Sequence, residues 1–125
     1  MDTQGEALEM DLDALCEELE LDREQFSQLV SLFIEVAVAD LARLKEASAR
    51  GDLVGVAEAA HSIKGAAASL ALEGIFSLAK TLETHARAGE GEAIPDTLEW
   101  LRREIDRLKV FLEERGLAET KASTG

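Results

Sequence analysis

Ala59-Ala60-His61-Ser62-Ile63-Lys64-Gly65-Ala66-Ala67-Ala68-Ser69-Leu70 is the stretch on which the reading of this chain turns. Taken with Leu53 and Val56 just upstream, the apolar residues Ala60, Ile63, Ala67 and Leu70 recur at steps of three and four. That is the period of a helix with one buried stripe. At about 100° of rotation per residue, His61 falls roughly 130° from the centre of the stripe, which turns the imidazole toward water. Val54, Ala57, Gly65 and Ala68 lie near the same direction, so short side chains surround it. Lys64 follows three residues on, the spacing at which two side chains become neighbours on a helix surface.

Gly65 is the residue that asks for a reason. A glycine inside a helix costs about 1 kcal/mol relative to alanine, and Ala66, Ala67 and Ala68 follow at once. A glycine serving close helix packing belongs on the buried stripe, whereas Gly65 lies one turn above His61. One reading is a neutral surface glycine beside a solvated histidine. The other is an imidazole kept sterically open for a second protein, with a cation alongside to meet an anion.

His61-Ser62-Ile63-Lys64-Gly65, followed by small residues and an apolar residue at Leu70, resembles the motif of the histidine-containing phosphotransfer (HPt) domains of bacterial phosphorelays. The resemblance covers about residues 22–115 as architecture, with its specificity concentrated in residues 60–70. It implies that His61 accepts a phosphoryl group, that Lys64 offsets charge on the phosphoryl oxygens and that Gly65 gives access. It implies as partners the receiver domain of a response regulator, a hybrid sensor histidine kinase, or both, with no cofactor and no metal of the chain's own. The open ground of Val54, Ala57, Glu58 and Ala68 is then the docking surface. The sequence departs from the family at Ala71, where a glycine is frequent.

Composition bounds the alternatives. A chain of 125 residues fits one domain and can bury a real core. Hydrophobic residues make up 46% of it, aromatics only 4%, and there is one proline. Alanine and leucine favour helix throughout. The formal charge of −13 speaks against nucleic acid and anionic membrane surfaces. The single Cys16 excludes an internal disulfide and fits a reducing compartment. The polar start Met1-Asp2-Thr3-Gln4 is no signal peptide, and no apolar run is expected to approach membrane-spanning length. The expectation is a free-standing, cytoplasmic monomer.

Leu8, Leu12, Leu15 and Leu19 predict a short first helix ending near Glu20, with Cys16 bordering its stripe. Asp22 and Gln25 stand in capping-box positions before a long helix from Arg23 to about Arg50. Phe26, Leu29, Val30, Phe33, Ala37, Leu41 and Leu44 are its inner stripe, widened by Val36 and Val38. Gly51 stops it, and Asp52 caps the helix of His61. Ile75, Leu78, Leu82 and Ala86 mark the next helix, closed by Gly89. Pro95 suits a first helical turn, and Leu98, Leu101, Ile105, Leu108 and Leu112 carry the last helix to Gly116. The fold class expected is all-α: an antiparallel up-and-down four-helix bundle with a short extra N-terminal helix, one domain over residues 1–116 and a polar tail over 117–125.

Other chemistries fare worse. Ser62 points about 100° away from His61 on the same helix, which does not make a nucleophile–base pair. A di-iron bundle needs Glu-x-x-His twice plus two more inward glutamates. Glu58 and His61 supply one such pair, but His85 has no glutamate three residues before it. Glu58 remains a candidate hydrogen-bond partner for the imidazole, and His85 reads as a surface residue suited to a helix C-terminus. The rival functions are a helical-bundle adaptor that is never phosphorylated and a metal-binding bundle.

Overall fold

The structure is a computed structural model and describes residues 12–114. Five helices are present there: α1 (Leu12–Leu19), α2 (Arg23–Ala49), α3 (Leu53–Ser69), α4 (Glu73–Arg87) and α5 (Ile94–Glu114). A 3-10 turn, Gly91–Ala93, leads into α5, and no strand occurs among the described residues. The expected helix start at Leu8, the end at Gly116 and the tail of residues 117–125 lie outside the described residues.

Each helix buries the stripe that its period dictates. Phe26, Val30 and Leu44 of α2, Val56 and Ala60 of α3, Ala79 and Leu82 of α4, and Leu101 of α5 are fully enclosed. Contacts run from α2 to α3, α3 to α4, α4 to α5 and back from α5 to α2, so four helices close a ring around one core. The short α1 rests on α2, where Cys16 joins the core. Burial raises the Cys16 thiol pKa, against the weaker pull of the Arg23 charge.

Two expectations for α2 need correction. Leu29, Val36 and Val38, expected on or beside the inner stripe, are 42%, 43% and 51% exposed. The contacts of α2 with α3 and α5 are made by a narrower stripe, leaving the flanks uncovered. Nor is the chain without a membrane-length apolar stretch: α2 holds an 18-residue window of mean hydropathy 1.3, long and apolar enough by composition to cross a bilayer. In the structure this helix forms one wall of the ring, with Phe26, Val30, Phe33 and Ala37 buried and the charged Asp40 turned inward.

Helix ends follow their local chemistry. The Asp22 carboxylate accepts from the Gln25 amide at 2.7 Å, while the Gln25 side chain accepts from the Asp22 amide at 2.9 Å. The Asp52 carboxylate accepts from the Gly55 amide at 3.0 Å and starts α3. Four helices leave by the same route, with a left-handed residue after the last turn: Glu20 (φ 58°), Gly51 (69°), Ala71 (56°) and Gly89 (77°). The amide following each one donates back to a carbonyl five residues earlier, as in Leu72 to Ala67 at 3.0 Å, which satisfies carbonyls the helix leaves free. Ala71 thus takes the conformation that a glycine adopts without strain.

Candidate functional site

The middle turns of α3 place His61 outward, with a side chain 62% exposed. Gly65 stands one turn further on, and a β-carbon built there meets no atom within 4 Å. Ala68 and Val54 are exposed on the same helix, Val54 by 69%. Ala57 is not part of that surface. It is only 3% exposed, because α3 packs against both α2 and α4 and its alanines let the neighbours come close enough to bury the flanks of the stripe.

The imidazole is held by Glu83 on α4. His61 Nδ1 lies 3.1 Å from Glu83 Oε2, and Lys64 Nζ lies 2.8 Å from Glu83 Oε1. Arg87 donates from Nε and Nη2 to the same Oε2 at 2.9 and 2.7 Å. Although Glu83 is only 7% exposed, its carboxyl is pulled down to about 2. The Lys64 hydrogen bond is the largest cause and outweighs burial, with Arg87 and His61 adding to it. A carboxylate ionised at neutral pH can only accept, so Nδ1 of a neutral His61 carries the proton. The lone pair is then on Nε2, the ring nitrogen away from this bond.

On the other side of α3, Ser62 Oγ donates to Asp40 Oδ2 of α2 at 2.7 Å. Asp40 is 3% exposed, and its second oxygen accepts from Arg43 at 3.1 Å. Asp40, Glu83 and Arg87 are the site residues that sequence reasoning misses. The two acids carry a visible signal: Asp40 falls between Ala37 and Leu44, and Glu83 between Ala79 and Ala86, each at steps of three and four inside an apolar stripe. A charged residue in a buried stripe requires a partner.

The other candidates separate from this cluster. Glu58 lines a cleft of about 240 Å³ with Arg43, Glu46, Arg50 and Asp52; the carboxylate at the imidazole is Glu83. His85 Nδ1 sits 2.6 Å from Glu90 Oε1 at the end of α4. Among the described residues no three His, Cys, Asp or Glu side chains converge as a metal site would need.

The site is an outward-facing imidazole and a lysine that share one carboxylate, Glu83. The Hpt domain family model matches residues 28–111, and the chain belongs to that family. Hpt domains are phosphocarrier modules that work with receiver domains and histidine kinases of two-component systems. Among curated proteins and among solved structures, nothing matches the chain.

Proposed function

We propose that this chain is a phosphorelay carrier: His61 takes a phosphoryl group from an aspartyl phosphate of a receiver domain and returns it to another. The observation that carries the reading is the bond from His61 Nδ1 to Glu83, which leaves Nε2 as the free nucleophile beside the open Gly65. In the forward step the Nε2 lone pair attacks phosphorus in line. The N–P bond forms as the P–O bond to the partner's aspartate breaks, and the aspartate leaves as carboxylate. The ring then holds phosphorus on Nε2 and a proton on Nδ1, and is cationic; Glu83 stands next to that charge. Lys64 and Arg87, both bonded to Glu83, are the cations this reading assigns to offset charge on the phosphoryl oxygens.

The four long helices are read as an antiparallel up-and-down bundle, supported by the ring of contacts and by the short connections at residues 50–52 and 70–72. The reading takes residues 1–116 as one domain working as a cytoplasmic monomer. The chain is a substrate and carrier rather than an enzyme, with the phosphoryl-transfer machinery supplied by the partner. Val54, Glu58 and Ala68, exposed on the helix of His61, are the docking residues of this proposal.

The test incubates the protein with phosphorylated receiver domains. The expected product is an acid-labile, hydroxylamine-sensitive phosphate on the parent chain and none on His61→Gln. Labelling that survives in His61→Gln and disappears in His85→Gln would reassign the site. A parent that never labels would leave the adaptor reading in its place.

A further inference from the structure

His61 and Ser62 are consecutive, yet each is bonded to a buried acid on a different neighbouring helix: Glu83 on α4 and Asp40 on α2. Their side chains leave the axis about 100° apart, so two such bonds fix the rotation of this turn as well as its position. The turn has need of that. Its buried face is Ala57, Ala59, Ala60 and Ala67 around Ile63 and Val56, and methyl groups offer shallow ridges to the grooves of a neighbour. A roll of about 10° at roughly 6 Å from the axis carries the imidazole about 1 Å, and a misplacement of that size can lower a transfer rate about 100-fold.

We infer that Asp40 is a positioning residue for phosphotransfer: through Ser62 it fixes the roll of α3, so that His61 meets Glu83 with Nδ1 and presents Nε2 outward. The Asp40 carboxylate is enclosed, 4% exposed at its side chain, and its other partner Arg43 is 71% exposed. The Ser62 bond is therefore its link to α3. A purely structural ion pair on α2 would need only Arg43, three residues away on the same helix. The link commits a buried charge to one hydroxyl beside the functional histidine.

The kinetic part of this inference rests on the proposed phosphotransfer; the spectroscopic part does not. Ser62→Thr and Ser62→Val give side chains of nearly equal shape that differ in the hydroxyl, at a position exposed enough for both to fold. In Ser62→Thr the expected transfer rate to a receiver is within about threefold of the parent, and imidazole nitrogen NMR, at a pH high enough for the ring to be neutral, shows its proton on Nδ1. In Ser62→Val transfer is expected to fall about 10- to 100-fold, with the His61 signals moving toward a mixture of tautomers; circular dichroism remains that of Ser62→Thr, while melting falls below it because the enclosed Asp40 carboxylate loses a donor. If the two variants share one rate and one tautomer, the hydroxyl does not position the ring and the inference is wrong. A parent that accepts no phosphoryl group overturns the proposed function, and the tautomer comparison still decides the role of Asp40 and Ser62.

Discussion

At Gly65 a β-carbon would meet nothing, whereas at Gly55, on the same helix, it would stand 2.5 Å from Asp52 Oδ2 and 3.2 Å from Ala47 Cβ. The two glycines therefore answer substitution differently. Gly65→Ala is expected to raise stability by up to about 1 kcal/mol through helix propensity and the less flexible unfolded chain. Gly55→Ala displaces the Asp52 cap, a loss of about 1 kcal/mol, so the propensity gain is cancelled and stability stays at or below the parent. Urea denaturation of the two variants side by side checks the order. Function enters with size: Gly65→Gln is expected to fold as well as the parent and to transfer phosphoryl far more slowly, because its side chain occupies the approach to His61. Gly65→Gln protein that melts early would make Gly65 a packing residue, and parent-rate transfer would move the docking site elsewhere. For Lys64 the structure adds a second task to the proposed contact with the phosphoryl oxygens, since its ammonium also holds Glu83. Lys64→Ala is expected to slow transfer by one to two orders of magnitude, as one charge-assisted contact of about 1.5–3 kcal/mol implies. An unchanged rate in a single-turnover assay would leave Lys64 with a structural task only. The directions of His61, Lys64 and Gly65 are legible because they follow from helix period alone. Glu83 stands out as an acid inside an apolar stripe, but what it and Arg87 bind is not legible, since that depends on α4 lying against α3, a distance no local spacing encodes.

Every described helix except α1 starts or ends within a few residues of where punctuation in the sequence places it. Asp22, Asp52, Gly51 and Gly89 act through local hydrogen bonds, so their effect can be read without knowing the neighbours. The ends at Glu20 and Ala71 carry no such mark, because a left-handed residue with a β-carbon looks like any other in sequence. What holds them there is the closing bond, Leu21 to Cys16 at 2.9 Å and Leu72 to Ala67 at 3.0 Å. The misjudged residues are Leu29, Val36, Val38 and Ala57. Period gives the centre of a stripe, but its width depends on how many neighbours pack against it: narrow on α2, wide on the alanine-rich α3. The strain at Ala71 leads to a prediction for the α3–α4 connection. A non-glycine residue in this conformation costs about 1–3 kcal/mol, against which glycine loses more entropy on folding. Ala71→Gly is expected to stabilise the protein by about 1 kcal/mol, read as a rise in urea midpoint with an unchanged slope. A fall in midpoint would mean that the half-buried methyl contributes more than the backbone strain removes.

Across the whole molecule, −13 of formal charge means that acidification first relieves repulsion and then undoes particular bonds. Glu83 is the acid on which α3 and α4 meet, and its pKa of about 2 in the folded protein gives that link a pH window of its own. In the unfolded chain a glutamate titrates near 4.3, so as pH falls the unfolded state takes up this proton first. The stabilisation from Glu83 is therefore complete above about pH 4.3 and is lost as pH falls from there to about 2. Glu83→Gln keeps the shape and one acceptor oxygen but cannot titrate. It is expected to be less stable than the parent at pH 7, because Lys64 and Arg87 lose their anion, and the gap is expected to narrow as pH falls from about 4.3 to about 2. Subtracting the two stability curves removes the other carboxylates, including the half-exposed Glu99, whose hydrogen bonds to Arg102 and Arg103 also hold it at about 2. A difference that stays constant across the window would show that the ionised Glu83 does not favour the folded state over the unfolded one. The same Glu83→Gln variant bears on transfer at neutral pH. Its side-chain amide could accept from Nδ1 or donate to it, so the His61 tautomer is no longer set by charge. Slower transfer at pH 7 together with a narrowing stability gap in acid is the joint outcome expected if one carboxylate both holds α3 to α4 and orients His61.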